Sequence, residues 1–218
     1  MEDKHQILEL FPTPVFVDTI PLGFENLIPS FDSHEMVDNR NNDARIDTLN
    51  FGSRSLNTYI LDGKKYKGFK DYILSLSFKF GKMLGYQYDN YKLSQSWLTW
   101  KSPGQQHIKH SHANSLISGV FYYGTFNKDT PSIDFHKNES NSSLTLSPSQ
   151  ESNKDYTFSS LNFTLKAGPG MVILFPSNLI HSVPINNTRF TRKSLSFNII
   201  PQEGFGVENN LTELKFKI

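Results

Sequence analysis

The sequence contains no cysteine, and this absence excludes several kinds of functional site at once. Without thiols the chain cannot form disulfides, zinc–thiolate sites, iron–sulfur clusters or a cysteine nucleophile. Any metal ion must therefore be held by His, Asp or Glu side chains or by water.

Long apolar runs and an excess of charge of one sign are also missing. No segment approaches the ~20 apolar residues that cross a bilayer, and the N-terminal stretch MEDKHQILELFPTPVF carries charges where a secretory signal needs apolar residues. The 22 Lys and Arg residues nearly balance 21 Asp and Glu, whereas nucleic-acid-binding domains usually show a basic excess. We expect a cytoplasmic protein with a small-molecule or peptide substrate and no nucleic acid or membrane partner; the sequence leaves a homodimer open.

The apolar pattern changes from helical to β-like partway along the chain. In residues 69–83 apolar side chains recur three or four positions apart and Gly85 follows, which predicts an amphipathic helix with a glycine stop. Eight short β-like runs come after Gly85, separated by Gly, Pro, Asn and Ser. The runs are 93–101, 107–112, 116–126, 132–136, 161–166, 171–175, 180–184 and 192–200. Eight antiparallel strands predict a mainly β fold, a jelly roll or double-stranded β-helix, in which a ligand can sit between two facing sheets.

The whole chain is predicted to form a single domain. Residues 1–90 would be an N-terminal region with supporting helices, 91–200 the jelly-roll core and 201–218 a C-terminal extension. Residues 138–160 are rich in serine and have little to bury, which indicates a mobile loop or lid, with a solvated insertion as the alternative.

Histidines provide the clearest candidate site. His110 and His112 are two positions apart, so in a strand their imidazoles lie on one face, about 7 Å apart along the backbone. His181 follows an apolar run that would bury its base. Three imidazoles in a chain without cysteine favour a metal such as iron(II), with coordination positions left open for substrate and oxygen. We predict these three histidines as metal ligands and no catalytic residue beyond the metal centre; the alternative is that they are ordinary polar residues.

Arg192 opens the last predicted strand, and alternation places Ser194 on the same face. A buried guanidinium requires an anion, and a guanidinium with a neighbouring hydroxyl can hold a carboxylate through several hydrogen bonds. The alternative is an arginine at the rim of the barrel that pairs with a protein carboxylate or with solvent.

Several phrases of the sequence, taken together, resemble the 2-oxoglutarate- and iron(II)-dependent oxygenase superfamily, and within it a little-characterised group of bacterial and viral proteins. They are LFPTPV at 10–15, HSHANSLISGVFYY at 110–123, GMVILFPSNLIHSV at 170–183 and RKSLSFN at 192–198. The resemblance spans nearly the whole chain and rests on the combination of phrases. It implies a dioxygenase that uses Fe(II) and 2-oxoglutarate and hydroxylates a substrate that the sequence does not identify.

The resemblance also implies roles for particular residues. The second and seventh strands would be neighbours in the smaller sheet, which would bring His110 and His112 beside His181. Arg192 with Ser194 would bind the distal carboxylate of 2-oxoglutarate. The usual family triad has Asp or Glu where this chain has His112. His112 therefore either completes an all-histidine ligand set, or is itself the first ligand with Asn114 in the variable position.

The sequence supports a role in the site less strongly for several other polar and aromatic residues. Asn114 and Tyr123 are predicted to contact the cosubstrate, Tyr123 through its hydroxyl, although the tyrosines of this strand are expected mainly to pack. Asp134 and His136 share a strand face that could supply a carboxylate or line the mouth of the barrel, but a solvated outer face is the preferred interpretation.

Two other classes of protein remain as alternatives. One is a cupin-like metal enzyme that does not use 2-oxoglutarate, for which Arg192 would be irrelevant. The other is a metal-free jelly-roll binding module.

Overall fold

The computed structural model describes residues 12–38, 51–137 and 160–216, and within them the chain is mainly β. The helices are α1 (Ile28–Phe31) and α2 (Lys67–Met83), with 3-10 turns at Phe24–Leu27, Ile60–Asp62, Lys64–Tyr66 and Glu208–Asn210. The strands are β1 (Phe16–Thr19), β2 (Met36–Asp38), β3 (Ser53–Ser55), β4 (Tyr91–Lys101), β5 (His107–His110), β6 (Ile117–Tyr123), β7 (Ile133–His136), β8 (Asn162–Leu165), β9 (Met171–Pro176), β10 (Ile180–Val183), β11 (Arg192–Pro201), β12 (Gly204–Phe205) and β13 (Leu214–Lys215).

Strands β4 to β11 form the jelly roll. A seven-stranded sheet has the order β1-β9-β6-β11-β4-β3-β2, and a four-stranded sheet has the order β5-β10-β7-β8. The eight barrel strands are thus divided evenly between the two sheets, and every pairing is antiparallel. The predicted fold class is confirmed, and each of the eight predicted runs matches a strand whose ends differ by no more than three residues.

The large sheet is covered on one face by α2 and on the other by the small sheet. Alternation along β11 sends Leu195 and Phe197 to the helix side, where they join the larger core cluster. Phe197 lies against Gly119 of β6, where a Cβ atom would come within 2.2 Å of its ring. The side chains between the sheets form a second, smaller cluster: Val120, Tyr122, Ile133, Phe135, Ile173 and Phe175. The space between the sheets is therefore where the inward-facing polar residues of β11 must lie.

Helix α2 agrees with its prediction. Its buried side chains include Phe69, Ile73, Leu76 and Phe80, which recur at the spacing of one helical face. Gly85 follows with φ +78°, the left-handed conformation that commonly ends a helix. Burying four such side chains contributes roughly 1.5–3 kcal/mol each, which holds the helix on the sheet.

The N-terminal third differs from its prediction in supplying strands as well as helices. Strand β1 pairs with β9 at one edge of the large sheet, and β2 and β3 extend the other edge beyond β4. Each has only three or four residues, too few for a period of two to be visible in the sequence.

Three further sequence-based expectations concern membrane spans, the serine-rich segment and the domain division. Among the described helices, none is long and apolar enough to cross a membrane. The serine-rich segment predicted as a lid lies, apart from Ser160, outside the described residues. The division into a single domain with three regions stays a prediction, although the barrel strands run from Tyr91 to Pro201.

Candidate active site

The three predicted histidines converge between the sheets. β5 and β10 are neighbours, as predicted, and His110 is the register partner of His181. His112 lies two residues beyond β5, where its backbone N–H donates to the carbonyl oxygen of Ser177 at 2.9 Å. The ring centres lie 4.2 Å apart for His110 and His181, 5.1 Å for His112 and His181, and 5.3 Å for His110 and His112. One ring nitrogen of each histidine lies within 4.8 Å of the other two, which is close enough to hold one metal ion.

Hydrogen bonds fix the tautomer of each imidazole. Nδ1 of His110 and Nδ1 of His181 each lie 2.9 Å from a backbone carbonyl oxygen two residues earlier, and Nδ1 of His112 lies 2.5 Å from Oδ1 of Asn198. Carbonyl and amide oxygens only accept hydrogen bonds, so Nδ1 carries the proton and Nε2 keeps its lone pair. This is the arrangement in which the second ring nitrogen of a metal-bound histidine donates to an oxygen.

A small polar network holds His112 in place. The hydroxyl of Ser118 donates to Oδ1 of Asn198 at 2.9 Å and lies 3.0 Å from Nδ1 of His112. The Ser118 and Ser177 hydroxyls are 2.8 Å apart. Asn198, Ser118 and Ser177 had no assigned role in the sequence analysis, although all three lie in the phrases that carry the family resemblance. The one available signal for Asn198 was its position on the same strand face as Arg192.

The site keeps its imidazoles neutral. Burial lowers the pKa of His181 to about 3, with the neighbouring His110 as the next cause. Burial is also the main cause that lowers the pKa of His110 and of His112, against the opposing effect of their Nδ1 hydrogen bonds. Neutral imidazole is the form that binds a metal ion, so the cluster is ready to bind at neutral pH.

These lowered pKa values predict that the metal-free protein is less stable in mild acid. In the unfolded chain His181 titrates near its ordinary pKa of 6.5, whereas in the fold it stays neutral down to about 3. Between these values the unfolded state binds more protons, so stability is fully present above about pH 6.5 and falls as the pH decreases. We expect the thermal unfolding midpoint of the metal-free protein to be lower at pH 5 than at pH 7.5. A midpoint that is constant over this range would contradict the burial of neutral imidazoles.

A second group of polar side chains lies deeper between the sheets and includes the predicted Arg192. This residue is 3% exposed, its Nε donates to the carbonyl oxygen of Pro131 at 2.8 Å, and its guanidinium lies 4.9 Å from the ring centre of Tyr122. Ser194 is 2% exposed, and it is the register partner of Tyr122. The Tyr122 hydroxyl is buried without a hydrogen-bond partner among the described residues. A buried hydroxyl without a partner beside a buried cation fits a pocket for a carboxylate.

The structure does not bring Tyr123 to this pocket. Its ring lies 5.3 Å from that of Phe31 on the helix side of the large sheet, and its hydroxyl accepts a hydrogen bond from the Trp100 indole at 2.9 Å. Successive residues of a strand face opposite sides. Tyr122 is therefore the tyrosine that faces Arg192, whereas Tyr123, the residue expected from the sequence, lies on the other face of the sheet.

Asn114 and the pair Asp134 and His136 also stand apart from the cluster. Asn114 is exposed in a turn with φ +55°, a conformation that asparagine adopts more readily than most residues. Asp134 accepts a hydrogen bond from Thr164 at 2.6 Å, and the Nε2 of His136 lies 2.8 Å from the hydroxyl of Ser182. Alternation along β7 puts both on the face opposite Ile133 and Phe135, as the sequence indicated, but His136 is only 9% exposed, so the expectation of a solvated face does not hold for it.

Comparisons with known proteins agree with this geometry. Residues 95–198 match a family described as "Putative 2OG-Fe(II) oxygenase", and this range contains every residue of the two polar groups. No curated protein matches the sequence.

Among solved structures, the chain is similar to HygX from Streptomyces hygroscopicus, which was crystallised with nickel, 2-oxoglutarate and hygromycin B. The two are 11% identical with a TM-score of 0.56, and the match covers 87% of this chain and 84% of HygX. The epimerase SnoN from nogalamycin biosynthesis is 10% identical with a TM-score of 0.61, covering 86% and 76%. A 2OG-Fe(II) oxygenase family oxidoreductase from Burkholderia pseudomallei is 10% identical with a TM-score of 0.51, covering 85% and 84%. At such identities these structures show a shared fold.

The family match over residues 95–198 and the shared fold point to the same class of protein. Both support the 2OG-Fe(II) oxygenase superfamily, an oxidoreductase class, as the sequence resemblance implied.

Proposed function

We propose that this oxygenase binds Fe(II) through Nε2 of His110, His112 and His181 and hydroxylates its substrate with 2-oxoglutarate as cosubstrate. The observation that carries the proposal is the convergence of three neutral imidazoles whose Nδ1 atoms already donate to oxygen acceptors. Each imidazole therefore has one nitrogen, Nε2, free for the metal.

The donor set fits Fe(II). Imidazole nitrogen is a common ligand of iron(II), and three ligands leave positions open for the cosubstrate and oxygen. Within the described part of the chain, the metal-binding group contains no Asp or Glu. His112 occupies the place of the usual carboxylate, which favours the all-histidine alternative over the one in which Asn114 stands in the variable position.

The deeper pocket fits the distal carboxylate of 2-oxoglutarate. Arg192 offers a buried guanidinium, and Tyr122 offers a buried hydroxyl that has no hydrogen-bond partner among the described residues. Ser194 provides a further hydroxyl on the same face. When iron and 2-oxoglutarate are bound, they supply the oxidation: 2-oxoglutarate and oxygen give succinate and carbon dioxide, and one oxygen atom enters a C–H bond of the substrate.

The protein's own contribution is orientation and the exclusion of water. The hydrogen bonds at Nδ1 fix the direction of each imidazole. The ring of Phe175 lies 4.7 Å from that of His181, and that of Phe135 lies 6.4 Å away, so apolar side chains surround this ligand. A dry, apolar wall strengthens the electrostatic interactions inside the site.

Several features of the proposed function stay predictions. These are a small-molecule or peptide substrate, the absence of a nucleic acid partner, a cytoplasmic location and a homodimeric state.

Anaerobic reconstitution with Fe(II) and 2-oxoglutarate tests the proposal. We expect weak metal-to-ligand charge-transfer absorption that requires both components, and succinate after oxygen is admitted. Iron binding without any response to 2-oxoglutarate would favour a cupin-like metal enzyme. Failure to bind iron at all would indicate a metal-free binding module. Zinc-loaded protein is the control, because zinc has no charge-transfer band with this ligand and no redox chemistry.

A further inference from the structure

A second buried cation lies beside Arg192 and has no role in the function proposed above. Lys101 is the last residue of β4, it is 0% exposed, and it is the register partner of Arg192 on β11. Its Nζ lies 3.1 Å from Nδ1 of His107, whose ring centre lies 4.3 Å from that of His110. The ammonium group therefore lies between the sheets, between the arginine and the histidine cluster.

Lys101 and Arg192 form a pair of buried like charges. No Asp or Glu of the described residues forms an ion pair with either of them. Like charges at directly opposite positions of neighbouring strands destabilise a sheet, and a buried charge is costly without a counter-ion. Burial, and then the charge of Arg192, lower the pKa of Lys101 to about 7. Holding two cations at one place therefore destabilises the fold, and a bound anion would offset this destabilisation.

The hydrogen bonds of Lys101 leave one donor available. An ammonium group has three N–H donors. The backbone carbonyl oxygen of Phe51 accepts one, and Nδ1 of His107 accepts another. An ammonium group can only donate, so Nδ1 of His107 is the acceptor in this contact. The described residues provide no acceptor for the third N–H.

We propose that Lys101 is a second cation of the cosubstrate pocket, and that its Nζ donates to the distal carboxylate of 2-oxoglutarate held by Arg192, Ser194 and Tyr122. This inference rests on the proposed function and extends it to a residue that neither the sequence nor the family comparison assigned. Two cations at one end of the pocket would make the site selective for a dicarboxylate over a 2-oxo acid with an uncharged tail.

The test compares cosubstrate binding in Lys101→Met with that in the wild type and in Lys193→Met. Lys193 is adjacent to Arg192 but lies on the helix side of the sheet, where it pairs with Asp32 at 2.8 Å, so its substitution removes the same charge outside the pocket. By anaerobic calorimetry with the nickel-loaded proteins, we expect Kd for 2-oxoglutarate to rise about tenfold or more in Lys101→Met, because one charged hydrogen bond is lost. Lys193→Met should bind as the wild type does. The ratio of the Kd for 2-oxovalerate to the Kd for 2-oxoglutarate should be smaller in Lys101→Met than in the wild type.

Other outcomes separate this inference from the proposed function. If Lys101→Met binds 2-oxoglutarate normally while Arg192→Met does not, the inference is overturned and the proposed function stands. If the wild type binds no 2-oxoglutarate, the proposed function itself fails. If Lys101→Met does not fold, a crystal structure of the wild type with nickel and 2-oxoglutarate decides. Nζ within hydrogen-bond distance of the distal carboxylate supports the inference, and Nζ bonded only to Phe51 and His107 overturns it.

Discussion

Replacing His181 with alanine is expected to abolish stoichiometric iron binding and, with it, succinate formation. His181 is the one ligand supplied by β10, so its loss leaves two imidazoles from one short segment. Loss of a single outer-shell partner of a metal ligand typically costs 10- to 100-fold in metal affinity, so loss of the ligand itself should cost about a hundredfold or more. Iron content after anaerobic loading and gel filtration measures the effect.

His136→Ala is the matched control for this experiment. His136 lies on the neighbouring strand β7 but faces the outside of the small sheet, with its Nε2 2.8 Å from the Ser182 hydroxyl. It should retain a full equivalent of iron. Retention of full iron by His181→Ala, in a protein that is otherwise folded, would show that the three histidines do not form the metal site.

The sequence predicted the parts of this molecule that depend on pattern. The eight barrel strands were found because each is bounded by turn residues, and α2 because its apolar residues recur at helical spacing. The short strands β1 to β3 were not found, because pairing with β9 and β4 decides their structure and no local pattern does.

The two adjacent tyrosines show the limit of such reasoning at the site. An error of one residue in the phase of β6 exchanges the two faces of the strand. Tyr122 and Tyr123 are both fully buried, so burial alone could not have decided between them. Only the pairing of β6 with β11 places Tyr122 on the side of Ser194 and Arg192.

Lys101 illustrates a different limit. In the sequence it ends an apolar strand, where a lysine is ordinarily expected to extend into solvent. The loop residue Phe51 and the strand residue His107 enclose its ammonium group, and they lie 50 and 6 positions away in the sequence. No local pattern of residues indicates this kind of long-range enclosure.

Replacing Arg192 with methionine is expected to abolish measurable 2-oxoglutarate binding while leaving iron binding nearly intact. The guanidinium is 3% exposed, and removing one partner of a buried, hydrogen-bonded charge pair typically costs 2–5 kcal/mol, about a hundredfold or more in Kd. The histidine cluster should be unaffected, because none of the Nδ1 hydrogen bonds of its members involves Arg192. Anaerobic calorimetry with 2-oxoglutarate and a parallel iron assay separate the two effects.

Two further variants identify the cause of that loss. Arg192→Lys keeps the charge but loses the planar fork, so we expect binding between that of the wild type and that of Arg192→Met. Arg189→Ala is the control, because this exposed arginine lies over the ring of Phe190, three residues before Arg192, outside the pocket. Its affinity for 2-oxoglutarate should equal that of the wild type. Unchanged affinity in Arg192→Met would mean that the buried cations bind an anion other than 2-oxoglutarate. The cupin-like alternative would then explain the histidine cluster better than an oxygenase that uses 2-oxoglutarate.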